Sequence, residues 1–152
     1  MKFFLNGKFY NNYKLVFCGT GELEEEIKQK VEKLKLSEKV IFLGWQENVY
    51  KWMKNSKLLV CTSDNEGFPM NLIEAMACGT KIVSSNCKFG PNEILLGKYA
   101  KYLVKTDDID DYIEKINDAI KNYPHEKNEI LEKCDVNNVV NEYEKFMIEN
   151  RE

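Results

Sequence analysis

Short β-branched runs alternate along this chain with longer stretches of helical period. Leu15-Val16-Phe17-Cys18, Val40-Ile41-Phe42-Leu43, Leu58-Leu59-Val60-Cys61, Lys81-Ile82-Val83-Ser84 and Ala100 to Val104 are predicted strands. Glu22 to Leu34 is a predicted helix with Leu23, Ile27, Val31 and Leu34 on one face and Glu24 to Glu26 near its positive end. Val49 to Lys54 is a short helix carrying Trp52 and Met53, and a further helix lies inside Asp64 to Gly79. Pro91 to Leu96 reads as a short helix with proline in its first turn. Ile109 to Lys121 turns Ile109, Ile113, Ile116 and Ile120 inward, and Glu129 to Ile148 is helical with a break around Cys134-Asp135.

Strands alternating with helices imply right-handed βαβ units, hence an α/β fold with a parallel sheet covered by helices on both faces. Residues 14–152 form a single domain with C-terminal helices on this reading, and residues 1–13 are a remnant or a leader segment. Ligands of such sheets bind beyond the carboxyl ends of the strands. Gly19-Thr20-Gly21, Gly44-Trp45, Ser63 to Phe68 and Ser84 to Pro91 all fall on that edge, where glycines and polar residues gather.

Composition narrows the chemistry. The 152 residues are 43% hydrophobic and 31% charged, ordinary for one soluble domain. A net charge of −3 argues against nucleic acid as a partner. No apolar run approaches the length of a membrane span, and the start is too short for a signal-peptide core. The five cysteines are odd in number, scattered and without a CxxC pair, which suits reduced thiols in a cytoplasm rather than disulfides or zinc. His125 stands alone in a polar segment, so histidine triads and metal clusters have no support.

Within Asp64 to Gly79, Glu66 sits in a turn and Glu74 about one helical turn into the helix that follows. A helix start offers unpaired N–H groups and positive dipole to phosphate. The flanking carboxylates suit the hydroxyls of a sugar and a ribose. Glu74 is surrounded by Leu72, Ile73, Ala75, Met76 and Ala77, where a lone acid is costly unless it faces a cleft or a partner. Ala75, Ala77 and Gly79 let this helix sit close to the sheet, and Gly79 ends it.

Competing readings are weaker. Gly19-Thr20-Gly21-Glu22-Leu23-Glu24 lacks the third glycine of a dinucleotide fingerprint, and its acids would repel a pyrophosphate, so a tight turn with some backbone contact to a ligand is the better account. Asp64-Asn65-Glu66 is a polar Asx-type turn rather than a metal cluster. Ser84 to Ile94 is a long polar loop that either closes the crevice or merely connects. Trp45 lies near a nucleobase or packs under its loop, and packing is the expectation from the residues alone.

Leu15 to Gly21, Val40 to Gly44 and Ser63 to Gly79, with Glu66 and Glu74 separated by seven residues, strongly resemble the C-terminal donor-binding domain of retaining family-four glycosyltransferases. Pro91-Asn92-Glu93-Ile94 is similar to a later segment of that family, and the match covers roughly Lys14 to Ala119. The resemblance implies a Rossmann-like domain, one half of a GT-B fold. It implies that Glu66 contacts the donor sugar at the anomeric centre and that Glu74 holds the ribose. The backbone from Gly67 through Phe68, Met70, Asn71 and Leu72 would face the sugar and diphosphate. Gly19, Gly44 and Trp45 would lie near the nucleotide. It further implies transfer of a hexose or N-acetylhexosamine with retention, from a nucleotide sugar to a glycan or lipid-linked acceptor, with no cofactor and no bound metal. The setting would be cytoplasmic, at the inner face of the membrane in the complete enzyme.

Two departures bear on this. The family's N-terminal acceptor-binding domain and the first strand region of its donor domain have no counterpart here, and only thirteen residues precede Lys14. No phosphate-binding lysine or arginine can therefore be assigned, and Pro69 lacks an N–H that many relatives have there. The chain reads as a part of a longer enzyme, inactive by itself. The alternative is a stand-alone, non-enzymatic nucleotide-sugar-binding module.

Overall fold

The computed structural model describes residues 1–126 and 128–149. They fall into two compact units, Met1–Trp52 and Met53–Glu152. In the first unit, α1 (Lys2–Asn6) and a 3-10 turn (Phe9–Asn11) precede β1 (Leu15–Phe17), α2 (Glu24–Lys33), β2 (Val40–Phe42) and the start of α3 (Tyr50–Asn55). β1 and β2 pair in parallel, with Phe17 opposite Phe42 and their rings stacked at 5.2 Å. Burying an aromatic or aliphatic side chain is worth about 1.5–3 kcal/mol, and Phe3, Phe4 and Phe9 of the leading segment are all buried.

α2 keeps the predicted stripe only in its middle. Val31 is buried, Ile27 and Leu34 are half-buried, and Leu23 lies outside the helix and is 64% exposed. The acidic first turn is satisfied locally, Lys28 bridging Glu24 and Glu25.

The second unit holds β3 (Leu59–Cys61), α4 (Met70–Ala77), β4 (Ile82–Ser85), α5 (Pro91–Ile94), a 3-10 segment (Gly97–Tyr102), β5 (Leu103–Val104), α6 (Ile109–Asn122), α7 (Glu129–Lys133) and α8 (Val136–Glu149). Its sheet is parallel in the order β3-β4-β5. Ile82, Val83 and Ser84 are fully buried and Ser85 is 2% exposed, so both faces of β4 are covered, as expected for a parallel sheet flanked by helices. α4 and α6 pack against it.

Two predicted boundaries and one predicted helix face need correction. Ala100 to Tyr102 belong to the 3-10 segment, because Tyr99 and Tyr102 must both turn inward onto Tyr123, which alternation along a strand does not allow. The Ser84–Ile94 loop starts later, since Ser84 and Ser85 are still in β4. α6 buries Tyr112, Ile116 and Ala119, while Ile109, Ile113 and Ile120 are only half-buried: the inward stripe is centred on the tyrosine. The break at Cys134-Asp135 stands as predicted, between α7 and α8. Among the described residues no helix is long and apolar enough to cross a membrane.

Candidate functional site

α4 is built from strong helix formers, Met-Asn-Leu-Ile-Glu-Ala-Met-Ala. It begins after Pro69, whose φ of −72° suits a helix start and whose missing N–H is not required there. It ends as predicted at Gly79, with φ of +76°. The Gly79 N–H donates to the Met76 carbonyl at 2.9 Å and the Thr80 N–H to that of Ala75 at 2.8 Å, a Schellman closure. The Thr80 hydroxyl then donates to the Met53 carbonyl at 2.6 Å. Leu72, Ile73, Ala75 and Met76 are buried, and Met70, Asn71 and Ala77 are exposed. Of the small residues expected to let the helix approach the sheet, only Ala75 lies on the buried side.

Glu74 falls on the boundary between those faces. It is half-buried, one turn beyond Met70 and Asn71 on the open side of the helix. Glu66 is also half-buried, and its Oε1 lies 3.9 Å from the Cys61 thiol, which donates to it. Among the described residues neither carboxylate forms an ion pair, and Glu74 makes no side-chain hydrogen bond. Two acids thus flank the opening turn of one helix with acceptor capacity to spare.

The backbone between them is unequally available. An α-helix leaves its first N–H groups without internal acceptors, which here puts those of Met70 and Asn71 at the open end. Leu72 is different: its side chain is fully buried and its N–H donates to the Pro69 carbonyl at 3.0 Å. Gly67 is exposed, and Phe68 and Met70 are 44% and 52% exposed, so the helix mouth has an apolar rim.

Residues that the sequence did not single out hold this turn in place. The Ser85 hydroxyl donates to the Ser63 carbonyl at 2.5 Å, and the Tyr112 hydroxyl donates to the Cys61 carbonyl at 2.8 Å. Burial pushes the Tyr112 hydroxyl up to about 12, with a hydrogen bond to Ser85 pulling the other way. The Ser84–Ile94 stretch returns to the same place, Gly90 lying against Gly67 and Pro69. The Gly90-Pro91 pair was the available signal, since such pairs mark tight turns.

In the first unit, Gly19 and Gly44 meet beyond the carboxyl ends of β1 and β2. They form an isolated antiparallel bridge, the Gly19 N–H donating to the Gly44 carbonyl at 2.8 Å. Both adopt positive φ, +117° and +62°. Trp45 is 80% exposed, so the expected packing under its loop does not occur: the left-handed backbone at Gly44 precedes a side chain that projects into solvent. The cavity of about 450 Å³ in this unit is lined by Leu5, Tyr10 and the segment 34–39, at the amino end of β2, and takes in none of the predicted site residues. Among the described residues no cluster of histidine, cysteine and acidic side chains could hold a metal ion.

A family model for glycosyl transferases group 1 matches residues 5–135. The chain belongs to this family. It is 41% identical over 86 residues to an uncharacterized glycosyltransferase of Methanocaldococcus jannaschii, covering 57% of this chain and 21% of that one. It is 29% identical over 124 residues to the lipopolysaccharide 1,6-galactosyltransferase of Escherichia coli, covering 78% and 34%. Among solved structures, a point mutant of Staphylococcus aureus TarM in complex with fondaparinux, alpha-GlcNAc-glycerol and UDP superposes with a TM-score of 0.72 at 26% identity, over 80% of this chain and 26% of that one. The chain therefore spans about a third or less of the length of these relatives. The α/β architecture, parallel strands with flanking helices, is that of GT-B glycosyltransferases.

Proposed function

We propose that residues 14–152 act as the donor-binding part of a glycosyltransferase, moving a hexose or N-acetylhexosamine from a nucleoside diphosphate sugar to a glycan or lipid-linked acceptor with retention. The observation that carries this reading is the pair of half-buried carboxylates, Glu66 and Glu74, on either side of the first turn of α4, neither of them in an ion pair among the described residues. Carboxylates that keep free lone pairs accept strong hydrogen bonds from hydroxyls. N–H groups at a helix start, with its dipole, favour an anion. A diphosphate at Met70 and Asn71, a ribose at Glu74 and a sugar at Glu66 would use all three. The solved TarM complex contains UDP, which makes uridine the base to test first.

In this reading Glu66 positions the anomeric carbon. The oxygen of an acceptor hydroxyl bonds to that carbon as its bond to the diphosphate breaks, and the hydroxyl proton leaves with the diphosphate. Stabilisation of the leaving diphosphate is the main catalytic term, supplied by oriented N–H groups rather than by a bound metal. The acceptor is bound by a domain outside this chain, and the chain alone binds donor without turnover. Five free thiols suit a reducing cytoplasm.

Calorimetry of the chain with UDP-glucose, UDP-N-acetylglucosamine and GDP-mannose tests the reading. Saturable binding of at least one, weakened about tenfold in Glu74→Ala by loss of charge-assisted bonds, supports it. No heat with any of the three, or equal affinity in wild type and Glu74→Ala, contradicts it.

A further inference from the structure

We infer that Gly90 is a positioning residue for Glu66, setting where that carboxylate stands by pressing backbone against backbone; the link to donor binding rests on the function proposed above. Gly90 has φ of +88° and ψ of −69°, a conformation that L side chains rarely adopt. A Cβ placed on it would lie 2.4 Å from the Gly67 carbonyl oxygen, 2.4 Å from Pro69 Cδ and 3.3 Å from the Gly67 carbonyl carbon. The first two are far inside van der Waals contact, and none of the three atoms is the end of a flexible side chain. Gly67 and Pro69 are the residues that carry the chain from Glu66 into α4.

Gly90 cannot simply retreat. Its N–H donates to Glu93 Oε1 at 3.2 Å, and its carbonyl accepts from the Glu93 N–H at 2.9 Å. Pro91 and Ile94, on the same short helix, are fully buried. On the other side, the Glu66 segment is held by the Cys61 thiol and, through Ser63, by Ser85. The turn is thus clamped between these bonds and a wall without a side chain, so even a methyl group at position 90 displaces Gly67 and Pro69, and Glu66 with them.

Gly97 supplies the matched control. It also has positive φ, +55°, but a Cβ there meets nothing within 4 Å. Gly97→Ala places a side chain at positive φ without the contact. Displacing a sugar-contacting group by about 1 Å can cost up to about a hundredfold.

The test compares Gly90→Ala, Gly97→Ala and wild type of the full chain by amide NMR and by affinity for UDP-glucose, UDP-N-acetylglucosamine and UDP. In Gly90→Ala the amide resonances from Glu66 to Asn71 shift, and sugar-nucleotide affinity falls about tenfold or more while UDP affinity stays within about threefold. Gly97→Ala leaves both as in wild type. If Gly90→Ala does not fold, Glu93→Ala, which removes only the side-chain bond fixing Gly90, shifts the same amides with a smaller loss. Unmoved Glu66–Asn71 amides in Gly90→Ala, or in Glu93→Ala where that variant stands in, overturn the inference, and so does an equal loss in Gly97→Ala. Wild type that binds no sugar nucleotide instead refutes the donor reading, and the amide shifts still decide the positioning.

Discussion

The Tyr112 hydroxyl on α6 donates to the carbonyl of Cys61, the last residue of β3, across fifty-one positions of sequence. The bond fixes the point from which the chain leaves the sheet toward Glu66. It is also why α6 turns its tyrosine inward rather than presenting an isoleucine stripe. Tyr112→Phe keeps the ring but leaves a buried carbonyl without this donor. The expected loss is about 1–3 kcal/mol of unfolding free energy, read from denaturant midpoints at unchanged slope. A loss below about 0.5 kcal/mol would assign the bond no structural role.

The tyrosines also set an alkaline limit. Burial pushes Tyr112 up to about 12 and holds Tyr99, Tyr102 and Tyr123 above their ordinary range. Tyr102 and Tyr123 stack at 4.7 Å. A phenol whose folded pKa is raised binds its proton more tightly in the folded state. Its contribution is therefore complete below the unfolded value of about 10 and is lost as pH climbs from there through the folded value. Stability is expected to fall between about pH 10 and 12, with a shallower fall in Tyr123→Phe. Denaturation midpoints that stay flat over that window would contradict the burial of these hydroxyls.

How much was legible follows from which forces are local. The strands of the second unit, α4 and its stop at Gly79 come from β-branched runs, helix formers and a glycine at C′, all properties of neighbours in sequence. Glu74 on the boundary of an apolar helix followed from its periodicity. The inward turn of Tyr112, the 3-10 path through Ala100 and the contact of Gly90 with Gly67 depend on groups twenty or more positions away, which no local pattern encodes. Trp45 was misjudged because size and apolarity favour burial on average, whereas the turn at Gly44 directs it outward. The aromatic leading segment folds into α1 and a 3-10 turn because Phe3, Phe4 and Phe9 have buried surface to gain, a signal present in the composition of the first ten residues.

Among the described residues Glu74 has no side-chain partner to lose. Glu74→Ala is expected to change unfolding free energy by less than about 0.5 kcal/mol, or to raise it slightly, since a half-buried acid without a partner is costly. A thermal melt alongside the calorimetry described above separates binding from stability. A loss of about 2 kcal/mol or more in stability would make this acid a structural element instead.

Glu66 has a different expected signature. In the complete transferase, Glu66→Ala lowers kcat by more than it weakens nucleotide binding, because its contact is to the sugar and strengthens as the anomeric bond breaks. Steady-state kinetics with parallel UDP titration read this directly. Equal losses in turnover and in UDP affinity would deny Glu66 a role specific to the sugar.

The central claim is spatial: one activated saccharide lies across the opening turn of α4 with an acid on either side. Amide NMR of the chain titrated with UDP-glucose or UDP-N-acetylglucosamine measures this most directly. The expected result is a saturable set of shifts concentrated from Glu66 to Asn71 and at Glu74, with those at Glu66 absent when UDP replaces the sugar nucleotide. Shifts confined to other segments, such as the cavity walls at Leu5, Tyr10 and Leu34, or the same response at Glu66 to UDP alone, would contradict it.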